Sequence, residues 1–164
     1  MINTTLCYIE KNNSYLMIHR TKKENDCNKD KWIGIGGKFE KAESPEECAR
    51  REIKEETGLS IGQLEYRGIV TFVNDTEPEC ECEFMHLFWT KDILNLRENE
   101  SLPECDEGEL EWVLKSRMNE LPHWQGDEIF LELLDKKVPF FSLKLEYKDG
   151  KLKNAVLNEK KVFG

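Results

Sequence analysis

The chain has 164 residues, 38% of them hydrophobic, and a formal net charge of −9. This length and apolar content predict one globular domain over residues 1–164 and exclude a disordered chain. The acidic charge disfavours a nucleic-acid polymer as partner, and no apolar run is long enough for a membrane span. The N-terminal sequence has no basic segment leading into an apolar one, so we expect a cytoplasmic protein. The sequence leaves open whether it is a monomer or a homodimer.

The first third of the chain predicts short strands separated by loops. Residues 4–20 alternate in two apolar runs around the turn signal Lys11-Asn12-Asn13, which predicts a hairpin. The polar segment Thr21 to Lys31 predicts a loop. Residues 31–37, KWIGIGG, then predict a short strand that ends in glycines.

A helix of about 13 residues follows, and its ends are marked by capping signals. Ser44 is suited to the N-cap, Pro45 to the first helical position and Glu47 to a capping box. Gly58 is suited to the C-terminal stop. Ile53 belongs to the apolar side of this predicted helix.

The second half of the chain mixes strands and a second helix without a regular strand–helix alternation. This pattern predicts the α+β class, with an α/β/α sandwich of mixed sheet as its architecture. The predicted elements are strands over 64–74, 82–90 and 110–113, an acidic turn over 75–81, a helix over 127–136, and a hairpin over 140–156 that turns at Asp149-Gly150 and places Leu152, Asn154 and Val156 on one face.

Six cysteines are spread over the chain at positions 7, 27, 48, 80, 82 and 105. Cys7 and Cys48 fall in a predicted strand and helix, and no secretion signal is visible. We therefore expect free thiols in a reducing compartment. Cys80 and Cys82 lack a second ligand pair, which disfavours zinc.

Residues 37–59 contain seven identities in one fixed register: Gly37, Glu43, Arg51, Glu52, Glu55, Glu56 and Gly58. On a helix, Glu52, Glu55 and Glu56 lie on one side. Like charges at this spacing repel by roughly a few tenths of a kcal/mol per pair. A divalent cation would offset this repulsion, and Mg²⁺ takes carboxylates together with phosphate oxygens. The pattern predicts a metal–polyphosphate site, whereas the alternative is a solvated acidic face.

The residues around these glutamates have supporting roles in this prediction. Arg51 either fixes Glu43 or a neighbouring carboxylate by a bidentate pair, or is solvated. Gly36 and Gly37 allow a sharp turn that brings the backbone close to the metal. Lys38 either meets a phosphate or is a surface lysine.

This register is the Nudix box, and the chain resembles the Nudix hydrolases. The resemblance implies binding of Mg²⁺ or Mn²⁺ and attack by water on a phosphorus of a diphosphate bond. It implies that Glu52, Glu55 and Glu56 are ligands and that Glu56 or Glu52 is the base. It also implies a further catalytic glutamate from a downstream loop, for which Glu107 is the candidate. The alternative for Glu107 is an acidic surface loop.

The resemblance extends to the 8-oxo-dGTP diphosphatases, especially their bacterial, MutT-type branch. It rests on residues 31–38, 111–113, 124–127 and 139–142 and covers nearly the whole chain. It implies a base pocket formed by Trp124 and Asp127, with Phe72 as a wall. Both aromatic residues also suit a core, and Asp127 also suits a helix N-cap.

Two positions depart from the mammalian members, which have asparagine in place of Ile33 and aspartate in place of Gly126. A site that selects an oxidised purine needs matching donors and acceptors. The exact base specificity therefore stays open, and hydrolysis of a triphosphate is the firmer expectation.

We expect Mg²⁺-dependent hydrolysis of nucleoside triphosphates to the monophosphate and pyrophosphate, with oxidised purine nucleotides such as 8-oxo-dGTP as the expected substrates. The alternatives are other substrates of the family, namely ADP-ribose, a dinucleoside polyphosphate or an RNA 5′ end, and a non-catalytic nucleotide-binding domain. Residues 73–76 lack the proline usual in ADP-ribose hydrolases, and Glu77 stands where dinucleoside-polyphosphate hydrolases have tyrosine. Every glutamate of the box is present, which disfavours the non-catalytic alternative.

Overall fold

The computed structural model describes residues 1–75 and 82–164. These residues contain nine strands and two α-helices. The strands are β1 (Ile2–Lys11), β2 (Ser14–His19), β3 (Trp32–Ile33), β4 (Glu65–Asn74), β5 (Cys82–Thr90), β6 (Glu109–Leu114), β7 (Phe141–Lys148), β8 (Lys151–Leu157) and β9 (Lys160–Phe163). The helices are α1 (Pro45–Thr57) and α2 (Asp127–Asp135), and a 3-10 helix spans Lys115–Glu120.

The strands form one mixed sheet in the order β3-β2-β1-β5-β4-β7-β8-β9, with β6 paired to β2. β1 runs parallel to β5 and β4 parallel to β7, whereas the other neighbours are antiparallel. Residues 4–9 of β1 are all buried. Because alternate residues of a strand point to opposite sides, both faces of β1 are covered. Tyr8 packs in the cluster that contains Phe130 of α2, and Cys7 packs in the cluster that contains Ile53 of α1. The predicted α/β/α sandwich with a mixed sheet is confirmed.

Helix α1 begins and ends where its capping signals predict. The Ser44 hydroxyl accepts from the Glu47 amide at 3.2 Å, and the Ser44 amide donates to the Glu47 carboxylate at 2.8 Å. Gly58 has a φ of 72° and donates its N–H to the Lys54 carbonyl at 3.0 Å. This left-handed conformation favours glycine.

Two details of the C-terminal half differ from the prediction. The hairpin turns at Asp149-Gly150 as expected, but an irregularity between Glu146 and Tyr147 shifts the register of β7 and β8. As a result Ala155, rather than Asn154, lies opposite the buried Leu145. Asp127 is not the N-cap of α2: it is the first residue of the helix, and Gly126 precedes it without a side-chain cap.

The 3-10 helix and β9 were not predicted from the sequence. Both are short, and neither has a strong apolar period of its own. Cys7, Cys48, Cys82 and Cys105 are free thiols, as predicted. Cys27 is disulfide-bonded, so the prediction is wrong at that position, because sequence spacing does not show which cysteines meet in space.

Residues 76–81, which hold Glu77, Cys80 and most of the predicted acidic turn, lie outside the described residues. Neither α1 nor α2 combines the length and apolar character needed to cross a membrane.

Candidate active site

A cavity of about 600 Å³ is lined by residues of β1, β4 and β5, of the loop between β2 and β3, and of the segment that precedes α1. Residues 35–39 are held against β1 by backbone hydrogen bonds, among them Cys7 N to Ile35 O at 2.6 Å and Thr5 N to Gly37 O at 2.9 Å. The predicted site residues that line the cavity are Gly36, Gly37, Lys38, Arg51, Glu52, Phe72, Glu107, Trp124 and Asp127.

Glu56 is 7% exposed and contacts two residues of the cavity lining, Gly36 and Glu107. Its carboxylate accepts a hydrogen bond from the Gly36 amide at 3.2 Å. A side chain at position 36 would overlap the carbonyl oxygen of Thr5, so only glycine allows this approach. Burial, followed by its contact with Glu107, raises the pKa of Glu56 well above the usual range.

Arg51 organises the acidic side of α1. Its guanidinium makes a bidentate pair with Glu43, at 2.5 and 3.0 Å, which lowers the pKa of that carboxyl to about 2. It also contacts Glu52 at 2.8 Å, Glu55 at 3.2 Å and the carbonyl of Lys38 at 3.1 Å. The arginine therefore ties the glycine-rich segment to the helix.

The predicted carboxylates are not all brought to one point. Glu55 is turned toward solvent, with 59% of its side chain exposed, and it does not line the cavity. Gly58 lies at the helix end, outside the cavity lining. Among residues 1–75 and 82–164, no group of three or more acidic, histidine or cysteine side chains is close enough to be a preformed metal site.

The chemistry of the donors nevertheless fits a hard divalent cation. The charges of Glu52 and Glu107 both contribute to the raised pKa of Glu56, so these carboxylates repel one another as they stand. Carboxylate oxygens are the ligands that Mg²⁺ takes beside phosphate oxygens. Glu52, Glu56 and Glu107 are therefore the residues placed to share such an ion.

Glu107 is held by two basic residues that the sequence analysis did not single out. Its carboxylate contacts Arg20 and accepts from Lys23 at 2.9 Å. Burial opposes ionisation of Glu107, but these two cations hold its pKa below the usual range. Arg20 and Lys23 also line the cavity. A charged residue directly after the buried strand β2 was the signal that could have indicated Arg20.

The other end of the cavity is aromatic. The Trp124 ring meets Phe72 edge to face, with 5.1 Å between centroids, and packs against Tyr147 at 5.0 Å. Phe72 and Trp124 belong to the buried core and also line the cavity. The two alternatives for these residues, core and pocket, are thus compatible.

Asp127 lies beside Trp124 and is 8% exposed. Burial raises its pKa from 3.8 to about 7, while His123 and Lys31 oppose this shift. Ile33 lines the same cavity. Gly126 donates its N–H to the Tyr147 hydroxyl at 2.7 Å, and a Cβ there would approach Leu145 to 2.5 Å. The aspartate of the mammalian pattern would therefore not fit here without a shift of the core.

Comparison with known proteins agrees with this geometry. The sequence model of the NUDIX domain family matches residues 2–134 of this chain. The chain belongs to the Nudix family.

The curated relatives are similar at modest identity. An uncharacterized Nudix hydrolase of Bacillus subtilis, YvcI, is 30% identical over 64% of this chain and 65% of its own length. A protein of Danio rerio named oxidized purine nucleoside triphosphate hydrolase is 31% identical over 67% of this chain and 66% of its own length. A putative 8-oxo-dGTP diphosphatase of Mycobacterium tuberculosis is 33% identical over 58% of this chain and 42% of its own length. The matches thus span less than two thirds of these relatives.

Solved structures show the same fold over most of the chain. The crystal structure of a MutT protein from Bacillus halodurans has a TM-score of 0.79 and 26% identity, and the match covers 96% of this chain and 98% of that one.

Proposed function

We propose that this member of the Nudix family is a hydrolase that cleaves nucleoside triphosphates to the monophosphate and pyrophosphate, and that oxidised purine nucleotides such as 8-oxo-dGTP are its preferred substrates. The proposal includes dependence on Mg²⁺ or Mn²⁺, action on free nucleotides in the cytoplasm, and one domain over residues 1–164. The observation that carries it is that carboxylates and an aromatic pocket line a single cavity.

The size and polarity of the cavity suit a nucleotide. Its volume of about 600 Å³ lies within the range of small-molecule sites. The aromatic end, with Phe72 and Trp124, suits the flat face of a base. The end with Glu52 and Glu107 suits the phosphates once a cation lies between the two sets of negative charge.

The chain's own residues would position water and accept its proton. Glu52, Glu56 and Glu107 would hold the divalent ion, which supplies neutralisation of the charge that develops on the phosphate oxygens. Glu56 or Glu52 accepts the proton of the attacking water. The Gly36 amide fixes the Glu56 carboxylate, and Arg51 fixes Glu52, so both carboxylates are oriented before substrate arrives.

The base end supports a preference for a modified purine. Asp127 has a pKa of about 7, so near neutral pH its carboxyl is present in protonated and ionised forms. It can therefore donate or accept a hydrogen bond at the edge of a base. The names of the Danio rerio and Mycobacterium tuberculosis relatives point in the same direction.

The test is a hydrolysis panel with the products identified. The panel contains 8-oxo-dGTP, dGTP, the other nucleoside triphosphates, ADP-ribose, a dinucleoside polyphosphate and a capped RNA. We expect the highest kcat/KM for 8-oxo-dGTP, with release of pyrophosphate. A higher kcat/KM for ADP-ribose, a dinucleoside polyphosphate or capped RNA would refute the substrate assignment. Metal binding without turnover of any compound would refute the enzymatic proposal.

A further inference from the structure

A chain of polar contacts joins the two ends of the cavity through the loop between β2 and β3. The Trp124 indole N–H donates to the Asn28 side-chain oxygen at 2.7 Å. The Asn28 backbone N–H donates to one oxygen of Asp26 at 3.0 Å. Arg20 donates from Nε to the other oxygen of Asp26 at 2.7 Å, and from Nη1 to Glu107. The same loop therefore touches the aromatic pocket and a carboxylate of the acidic end.

The centre of this chain is well buried. Only 11% of the Arg20 side chain and 7% of the Asp26 side chain are exposed. Charged side chains withdrawn from water persist only when each is fully paired. Asp26 uses one oxygen for the loop backbone and the other for Arg20, so its carboxylate fixes the shape of the loop and the position of the arginine together.

Asn28 determines how Trp124 is presented. An indole has a single N–H donor, and here Asn28 accepts it. With its N–H occupied by Asn28, the indole is held in one orientation at the cavity wall. The Asn28 carbonyl also accepts from the Lys31 amide at 2.9 Å, and the Lys31 ammonium lies 4.3 Å from the centroid of the Trp124 ring. One turn of the loop therefore contacts both the N–H edge and one face of the indole.

We infer that Asp26 and Asn28 are positioning residues of the active site. Asn28 holds Trp124 in the orientation that receives the base, and Asp26 holds Arg20 so that Arg20 in turn holds Glu107. The inference rests on the proposed function, because it assigns the two residues to opposite ends of one bound nucleotide. It predicts that the loss of Asn28 acts on KM and the loss of Asp26 acts on kcat.

A matched pair of variants tests Asn28. Asn28→Leu has nearly the same shape but no acceptor, and Asn28→Asp keeps an acceptor for the indole N–H. We expect Asn28→Leu to raise KM for 8-oxo-dGTP about three- to tenfold, the effect of one lost hydrogen bond, with kcat unchanged. Asn28→Asp retains a KM near wild type.

A double-mutant cycle separates this contact from general damage to the loop. Trp124→Phe removes the N–H donor, so Asn28→Leu should have no further effect on KM in that background. An equal effect of Asn28→Leu with and without the indole would overturn the role of Asn28. So would a KM that is raised equally by Asn28→Leu and Asn28→Asp.

Asp26→Asn tests the other end. The amide oxygen still accepts from the Asn28 backbone, but the amide NH₂ faces Arg20, so the pair is lost. We expect kcat to fall about tenfold or more with KM within twofold of wild type, as for other losses of orientation. Arg20→Lys is measured beside it, because a lysine cannot contact Asp26 and Glu107 with the same fork and should show the same split even if Asp26→Asn does not fold.

Lys29→Ala, at an exposed position of the same loop, is the control and should behave as wild type. Cys27 lies between Asp26 and Asn28 and is disulfide-bonded, so all variants are compared under one redox condition. A wild-type kcat in both Asp26→Asn and Arg20→Lys, with 8-oxo-dGTP still hydrolysed, overturns this inference alone. A wild-type enzyme that hydrolyses no triphosphate overturns the proposed function and this inference with it.

Discussion

Asp127→Asn should make the protein more stable at neutral and alkaline pH, although it changes only one atom of a buried side chain. Burial raises the pKa of Asp127 from 3.8 to about 7, so the folded state binds this proton more tightly than the unfolded state. Below the unfolded pKa of 3.8 the group is protonated in both states and costs nothing. Stability is lost as the pH rises from 3.8 to about 7, and the loss is complete above that range.

The size of the effect follows from the same pKa values. Each pKa unit corresponds to about 1.4 kcal/mol, so a change from 3.8 to about 7 is worth up to about 4 kcal/mol. An asparagine stays neutral at every pH and does not bear this cost. Its own hydrogen bonding adds an offset that does not vary with pH. The titratable groups that face Asp127 are Tyr8, Lys31, His123, Glu128 and Tyr147.

The assay is urea unfolding of both proteins between pH 4 and pH 9, followed by tryptophan fluorescence. With a urea m-value of roughly 2 kcal/mol/M, the difference between the unfolding midpoints of Asp127→Asn and wild type should increase by up to about 2 M from pH 4 to pH 9. Burial opposes protonation of His123, but its contacts with the Leu121 carbonyl, Glu128 and Asp127 raise its pKa, so the pair is also compared in a His123→Asn background. A midpoint difference that stays the same at pH 4.5 and pH 8 would refute the burial argument for Asp127.

The remaining predictions concern turnover. Glu56→Gln should lower kcat at least ~100-fold without unfolding the protein, and a kcat near wild type would remove Glu56 from the mechanism. Pyrophosphate release should stop in excess chelator and return with Mg²⁺ or Mn²⁺, whereas full activity in chelator would contradict the metal requirement. Gly37→Ala should lower kcat ~10-fold or more, because the new methyl group overlaps the Glu52 carboxylate, and an unchanged kcat would show that Glu52 can move without consequence. Trp124→Ala should raise KM for 8-oxo-dGTP more than it lowers kcat, and an unchanged KM would exclude Trp124 from the base pocket.

The parts of the fold that sequence predicts best are those set by local chemistry. Helix α1 begins after Ser44 and ends before Gly58 because a hydroxyl, a carboxylate and a left-handed glycine satisfy its terminal backbone groups. The turn at Asp149-Gly150 is likewise a local matter of positive φ. The face of β8 was predicted wrongly because its register depends on pairing with β7, which is a contact between separate strands.

In the candidate site, too, the features set by local sequence were predicted, whereas the contacts between distant segments were not. The Nudix box predicts which glutamates share a helix, but it leaves open which of them Arg51 will bind. The structure resolves this through the guanidinium, which spans Glu43, Glu52 and Glu55 at once. Asp26 was missed because the loop that carries it has no period or motif, and Arg20 was missed because a charged residue at the end of a strand does not itself show which residue it will contact. Their importance comes from meeting Glu107 across the fold.

The charge balance of the cavity gives a separate reason for a divalent ion. Three of the basic side chains near the acidic end are already paired: Arg51 with Glu43 and Glu52, and Arg20 and Lys23 with Glu107. These three side chains have little attraction left for a polyphosphate, and the carboxylates of the site repel it. Binding of the phosphates therefore needs cations from outside the chain. It follows that removal of metal should weaken the binding of a non-hydrolysable nucleotide as well as stop turnover, since the ion completes the site before it takes part in the reaction.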